Sequence, residues 1–205
     1  MRLSALSILL FAGTSLGAVS AQAAGELNLI CSADVVICEQ MKGDFEKSHD
    51  IKVNMVRLSS GETYAKIRAE ARNPKTDLWW AGTGDPHVQA ASENLTMEYK
   101  SPMLDQLQDW AKKQAESTGY RTVGVYAGAL GWGYNTTIFK DKGYKEPLCW
   151  ADLLAPELKG EIQIANPNSS GTAYTALASL VQIMGEDQAI NYLKKLNANI
   201  SQYTK

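Results

Sequence analysis

The stretch Glu161–Leu180, EIQIANPNSSGTAYTALASL, sets the fold. Ile162 to Ala165 reads as a short apolar strand. Asn166-Pro167-Asn168 then breaks the chain, because proline carries no N–H and restricts the residue before it. A helix is predicted from Gly171 to about Met184, stopped by Gly185. Between strand and helix lie Ser169, Ser170 and Thr172. The unit is strand, hydroxyl-rich turn, helix.

The same unit recurs upstream. Leu27–Ile30 reads as a strand that exits through Cys31-Ser32-Ala33-Asp34 into a helix over Asp34–Lys47, with Val35, Cys38, Met41 and Phe45 at helical spacing. Ile51–Leu58 alternates and exits through Ser59-Ser60-Gly61-Glu62 into a helix over Ser60–Arg72, stopped by Asn73-Pro74. Leu78–Ala81 reads as a third strand, buried by its composition. It exits through Gly82-Thr83-Gly84-Asp85-Pro86 into a short helix over Pro86–Ser92. Leu104–Ala115 reads as one amphipathic helix through Leu104, Leu107, Trp110 and Ala111. Trp150–Leu154 reads as a short helix, and Glu186–Leu196 as another with acids in its first turn. Thr122–Tyr134, TVGVYAGALGWGY, is strand-like but rich in glycine, as suits extended chain that bends or nears other backbone. It is read as the crossing between two lobes. Strands alternating with helices predict an α/β fold with parallel sheets, whose ligands lie beyond the carboxyl ends of the strands.

The serines at these exits have two readings. Serine is a favoured helix cap, since its oxygen accepts from a backbone N–H that the helix leaves unpaired, and Ser59-x-x-Glu62 has the form of a capping box. Helix N-termini also attract anions through free N–H groups and a partial positive charge. Three such turns at strand ends can converge on one anionic group, and Gly61 and Gly171 let a ligand oxygen come close. Thr83 lies between two glycines in a fourth exit of the same kind.

Other function classes find little support. A formal charge of −2 gives no excess for nucleic acid. The acids are scattered along helical faces, as solvated surface is. His49 and His87 are isolated and read as polar surface, and nothing has metal-ligand spacing. Leu3–Val19 is apolar behind Arg2, and Ala21-Gln22-Ala23 has the form of a signal-peptidase site, so cleavage after Ala23 is expected, with residues 1–23 as signal peptide. Export permits disulfides. Of Cys31, Cys38 and Cys149 at least one stays unpaired within the chain, and spacing does not say which pair forms. Cys38 with His49 can be drawn as a thiol–imidazole pair, but Cys38 falls at an apolar helical position that suits a core or disulfide role better. No catalytic set is visible, and no enzyme activity or cofactor is expected.

SSGETYAKIRAE, DLWWAGTGDP, GWGYNT and PLCWADLLAPELKGEIQIANPNSSGTAYT together resemble the substrate-binding proteins of bacterial ABC transporters. The likeness runs over Gly25 to Lys205 and is strongest to the group usually labelled iron(III)-binding. The resemblance implies a type II periplasmic-binding-protein fold: two Rossmann-like lobes about a cleft, spanning 24–123 and 134–205 with a hinge crossing at 124–133. CSADVVICEQMK resembles most the hexose-phosphate-binding branch. On that resemblance the anionic group falls to Ser32, Ser59, Ser60, Gly61, Ser170, Gly171, Thr172 and Ala173, with Thr83 added as a candidate from its own exit. The partner implied is an inner-membrane permease, and a periplasmic monomer is expected. Ferric-ion binding is the alternative within the family. Glu62 matches an acid that some iron binders use, whereas the first strand exit has no histidine. Family members are longer, so the resemblance also implies an incomplete second lobe, a weakened site in this chain, or an inert remnant.

Overall fold

The computed structural model describes residues 25–204. The expected signal peptide and its cleavage site lie outside the described residues. Three parallel strands form the first sheet: β1 (Glu26–Cys31) in the centre, β2 (Lys52–Arg57) on one side and β3 (Leu78–Trp80) on the other. Each strand feeds a helix, respectively α1 (Val35–His49), α2 (Ser60–Ala69) and α3 (Gly84–Ser92). Leu29, Ile30, Cys31, Cys38, Val53, Ala90 and Ala91 are buried. Leu78 is exposed, contrary to the expectation of a buried third strand. The reason is topological: β3 pairs with β1 over three residues and lies at the edge of the sheet.

The helix expected over Leu104–Ala115 is two pieces. A 3-10 turn at Leu104–Gln106 gives way to α4 (Asp109–Ser117), whose buried face is Ala111 and Ala115 while Trp110 is exposed. Leu107 is in extended conformation between them, which resets the helical phase. Residues 122–134 form no strand, and Val123, Val125 and Tyr126 are exposed. Gly124 is needed there, since a Cβ would lie 2.2 Å from a ring carbon of Trp110.

The second sheet pairs β4 (Ile162–Ala165) with β5 (Ile200–Thr204), again in parallel. Between them run α6 (Gly171–Met184) and α7 (Glu186–Leu196), joined by Gly185 at φ 80°. Their core is Leu153, Leu180, Ala189, Tyr192 and Leu196, with Trp150, Ile162 and Val181 packed against it. Asn199, itself buried, donates from Nδ2 to the carbonyls of Leu153 and Ala155 at 2.8 and 3.0 Å. These bonds tie the approach to β5 to the turn after Trp150. α5 (Thr136–Lys142) begins at Asn135, whose side chain accepts from the N–H groups of Thr137 and Ile138. Neither α5 nor β5 was expected. Two parallel sheets, each with its own strand–helix units, give an α/β architecture in two lobes. No helix among the described residues is long and apolar enough to cross a membrane.

Candidate functional site

The strand exits meet. After β2 comes Ser59, the N-cap of α2, whose N–H and hydroxyl both donate to Glu62 Oε2, at 3.1 and 2.7 Å, closing the expected capping box. That occupies Ser59 and Glu62 with each other. Ser60 is free of this duty, buried, and accepts the Thr83 N–H at 3.1 Å. The exit of β2 is thereby fastened to the exit of β3.

Ser32 does not cap α1, contrary to the reading of its turn as a serine-started helix. Asp34 holds the N-cap position, without a side-chain cap bond. Ser32 Oγ instead accepts from Trp79 Nε1 at 2.9 Å and lies 3.1 Å from Thr63 Oγ1, while its N–H donates to the Trp80 carbonyl at 2.9 Å. Thr63 is wholly buried and donates to the Ser59 carbonyl at 2.9 Å. It sits one helical turn beyond Ser59, which is the signal that could have found it.

The Ala81–Gly82 corner after β3 is left-handed at both residues, with φ 66° and 99°. An alanine held there costs about 1–2 kcal/mol, so its surroundings must fix it. His87 does so from below. Its Nε2–H donates to the Ala81 carbonyl at 2.9 Å, and its ring stacks on Trp79 at 3.6 Å. Burial holds the His87 imidazole below its ordinary pKa, against the smaller opposing effect of the Ala81 carbonyl. His87 is therefore a neutral structural donor rather than the polar surface residue expected. From above, the Tyr126 hydroxyl lies 3.1 Å from the Gly82 N–H and 3.2 Å from its carbonyl.

The second lobe closes on this assembly. Ser170 caps α6 as expected, its Oγ accepting the Ala173 N–H at 3.3 Å. The Ser169 carbonyl accepts the Gly61 N–H at 2.9 Å across the cleft. Gly171 is buried so tightly that a Cβ would lie 2.2 Å from Thr83 Oγ1 and 2.7 Å from Ser60 Oγ. A Cβ on Gly82 would meet Ser60 Oγ at 2.5 Å and Ser32 Cβ at 2.9 Å. Ser32, Ser60, Gly61, Gly82, Thr83 and Gly171 thus share one junction. Thr172 is exposed, and Ala173 is buried within α6. Thr83 Oγ1 is fully buried and has no protein partner. A cavity of about 950 Å³ opens beside the junction, reached by Gly61, Tyr64, Gly84, Lys113, Ser170 and Tyr174. The chemistry offered at the junction is that of hydroxyls and helix-start N–H groups, with the Lys113 ammonium on the cavity wall.

Cys31 and Cys38 form a disulfide, and Cys149 is a free, exposed thiol. Cys38 has no thiol left to pair with His49, whose Nδ1 instead lies 3.2 Å from the Phe45 carbonyl.

The helix starts of α2 and α6 thus face one another where the two sheets' units meet. Residues 73–205 match the family of bacterial extracellular solute-binding proteins, and the chain belongs to that family. It is 45% identical over 204 residues to an uncharacterized protein of Haemophilus influenzae, a match spanning 99% of this chain and 59% of that one. Among solved structures it is similar to the periplasmic binding protein AfuA from Actinobacillus pleuropneumoniae, determined with exogenous fructose-6-phosphate bound. That match has 48% identity and a TM-score of 0.85, over 88% of this chain and 57% of that one. The periplasmic binding protein P5PA matches at 40% identity and a TM-score of 0.85, over 88% and 58% of the two chains. Iron-bound HitA from Pseudomonas aeruginosa, at 18% identity and a TM-score of 0.67 over 88% and 56%, shares the fold. The chain spans about three fifths of the length of these relatives.

Proposed function

We propose that the chain is the solute-binding component of an ABC importer, that it takes a small phosphorylated solute, a hexose phosphate foremost, and that it performs no chemical step. The observation that carries this reading is Thr83 Oγ1, a buried hydroxyl without a protein partner where Ser60 and Gly171 meet. A buried polar atom left unpaired costs about 1–3 kcal/mol, and a ligand oxygen reaching Thr83 Oγ1 would remove that cost. Phosphate oxygens suit neutral hydroxyls and helix N-termini. In this reading Ser32, Ser60, Gly61, Thr83, Ser170 and Gly171 surround the anion. Ser59, Thr172 and Ala173 act through the helix starts they belong to. AfuA, with its bound fructose-6-phosphate, supports the choice of solute class.

The lobes divide at residues 124–133, and solute entry requires them to part about that crossing. The protein works in the periplasm as a monomer, after cleavage behind Ala23, and hands its cargo to an inner-membrane permease. Ferric ion is the second reading within the fold. Against it, Glu62, the acid it would use, already accepts two hydrogen bonds from Ser59. Titration calorimetry with fructose 6-phosphate, fructose and ferric citrate separates the readings. Binding of the phosphate ester but not of the free sugar is expected. Equal binding of both sugars, or a visible phenolate-to-iron band, overturns the proposal.

A further inference from the structure

The Cys31–Cys38 disulfide lies within the junction's first arm. It joins the last residue of β1 to α1 across seven residues, with Cα atoms 6.0 Å apart, and both cysteines are wholly buried. The ring it closes contains Ser32, Ala33, Asp34 and the first three residues of α1. That helix is otherwise poorly anchored at its start. Cys38 is its one buried residue among those described, while Val35, Val36 and Ile37 are exposed. Its N-cap makes no side-chain bond, and its first turn carries no acid. α2 and α6, by contrast, have a capping box and a serine cap. The tie that sets where α1 begins is therefore covalent.

Ser32 itself is held from other directions, by Trp79, Trp80 and Thr63. The Ala33 carbonyl accepts from Arg57 Nε at 3.1 Å. These contacts fix one side of the turn, and the disulfide fixes the other. We propose that the Cys31–Cys38 disulfide is a positioning element of the solute site, which holds the Ser32–Asp34 turn and the uncapped start of α1 in place, so that its reduction weakens solute binding. This rests on the reading of the junction as an anion site. The chemistry is a thiol–disulfide exchange: a dithiol reductant takes the bond, leaving two thiols on the protein and a disulfide on the reductant. Reduction would thus release cargo from protein that has left an oxidising compartment, and protein never oxidised would hold cargo weakly from the start.

The test compares the oxidised full chain, the same protein reduced with a dithiol, and the double variant Cys31→Ala with Cys38→Ala. Amide hydrogen exchange is read by segment, and calorimetry reads affinity for fructose 6-phosphate and for inorganic phosphate. Exchange of residues 38–42, the first amides of α1 bonded within the helix, is expected to accelerate by about tenfold or more on reduction, while α6 and α7 keep their protection. Affinity for fructose 6-phosphate is expected to fall by about tenfold. Unchanged exchange at 38–42 overturns the positioning role. Faster exchange with unchanged affinity overturns its coupling to the site. Loss of protection throughout the chain on reduction also overturns it, since the bond would then be a general staple. If the oxidised protein binds neither probe, the anion-site reading and the coupling fall together, and the exchange data still decide whether the turn is held by the disulfide.

Discussion

The Gly61 N–H donates to the Ser169 carbonyl at 2.9 Å, joining the start of α2 to the turn before α6. An oxygen carrying partial negative charge from one lobe thus occupies a helix N-terminus of the other, the position that the site reading gives to an anion. A Cβ on Gly61 would lie 2.4 Å from the Asn168 carbonyl oxygen and 2.9 Å from that of Ser169. Both are backbone atoms, which cannot swing aside. Replacing glycine by alanine inside a helix ordinarily gains up to about 1 kcal/mol. Here overpacking at about 1–3 kcal/mol outweighs that gain. Gly61→Ala is expected to separate the turns, raising the radius of gyration in small-angle scattering and lowering the melting temperature. A variant as compact and stable as the parent would show that the contact does not hold the lobes.

Ser60 and Ser170 look alike in the sequence but differ in the structure, and the difference is measurable. Ser170→Ala removes a cap, which costs about 1 kcal/mol. Ser60→Ala strands the Thr83 N–H, which now donates to Ser60 Oγ inside the junction, at a cost of about 1–3 kcal/mol. Ser60→Ala is expected to lose more stability in urea titration, and at least as much affinity for fructose 6-phosphate. Equal stability losses would place Ser60 among ordinary helix-start serines.

The strand–turn–helix units were legible because their punctuation is local: Asn-Pro-Asn before α6, Gly185 after it, and Asn73-Pro74 after α2 all act within a few residues. The convergence of the exits was legible because parallel strands put successive helix starts on one edge. What escaped depends on contacts far apart in sequence. Ser32 is a hydrogen-bond partner of Trp79 and Thr63 rather than a cap, and residue type alone does not distinguish the two. His87 gains its role only by stacking on Trp79 under a left-handed corner. β5 is mostly exposed beyond its first residue, so it lacks the apolar signature by which strands are read. α5 buries no side chain, although Asn135 before it and Gly143 after it were available as start and stop signals. The disulfide joins one of three cysteine pairings that spacing left equal.

Tyr192 is a test of the second lobe alone. It is buried, its hydroxyl donates to the Trp150 carbonyl, and burial pushes its pKa up to about 12. Tyr192→Phe leaves that carbonyl without the bond while keeping the ring in the core. A loss of about 1 kcal/mol is expected in urea titration. The core that Tyr192 belongs to includes no junction residue, so affinity for fructose 6-phosphate should hold. A large affinity loss in this variant would mean that the core and the site are coupled.

His87 predicts a pH dependence whose direction follows from its burial. The folded imidazole has a pKa below its ordinary value of about 6.5, whereas the unfolded chain keeps the ordinary one. Between the two values the unfolded chain binds a proton that the folded chain does not, so stability falls as pH falls through that window. The contribution is complete above about pH 6.5 and is lost progressively below it. Protonation would also place a charge against Trp79 beneath the Ala81–Gly82 corner, whose carbonyl and N–H groups frame the junction. Urea midpoints measured from about pH 7.5 down to about 5.5, above the range where most carboxylates titrate, are expected to decline in the parent protein. In His87→Phe, which keeps an aromatic ring and cannot titrate, the decline should be smaller, although that variant starts from lower stability because the Ala81 carbonyl loses its donor. Parallel declines in the two proteins would assign the acid sensitivity to groups other than His87 and remove it from the account of the corner.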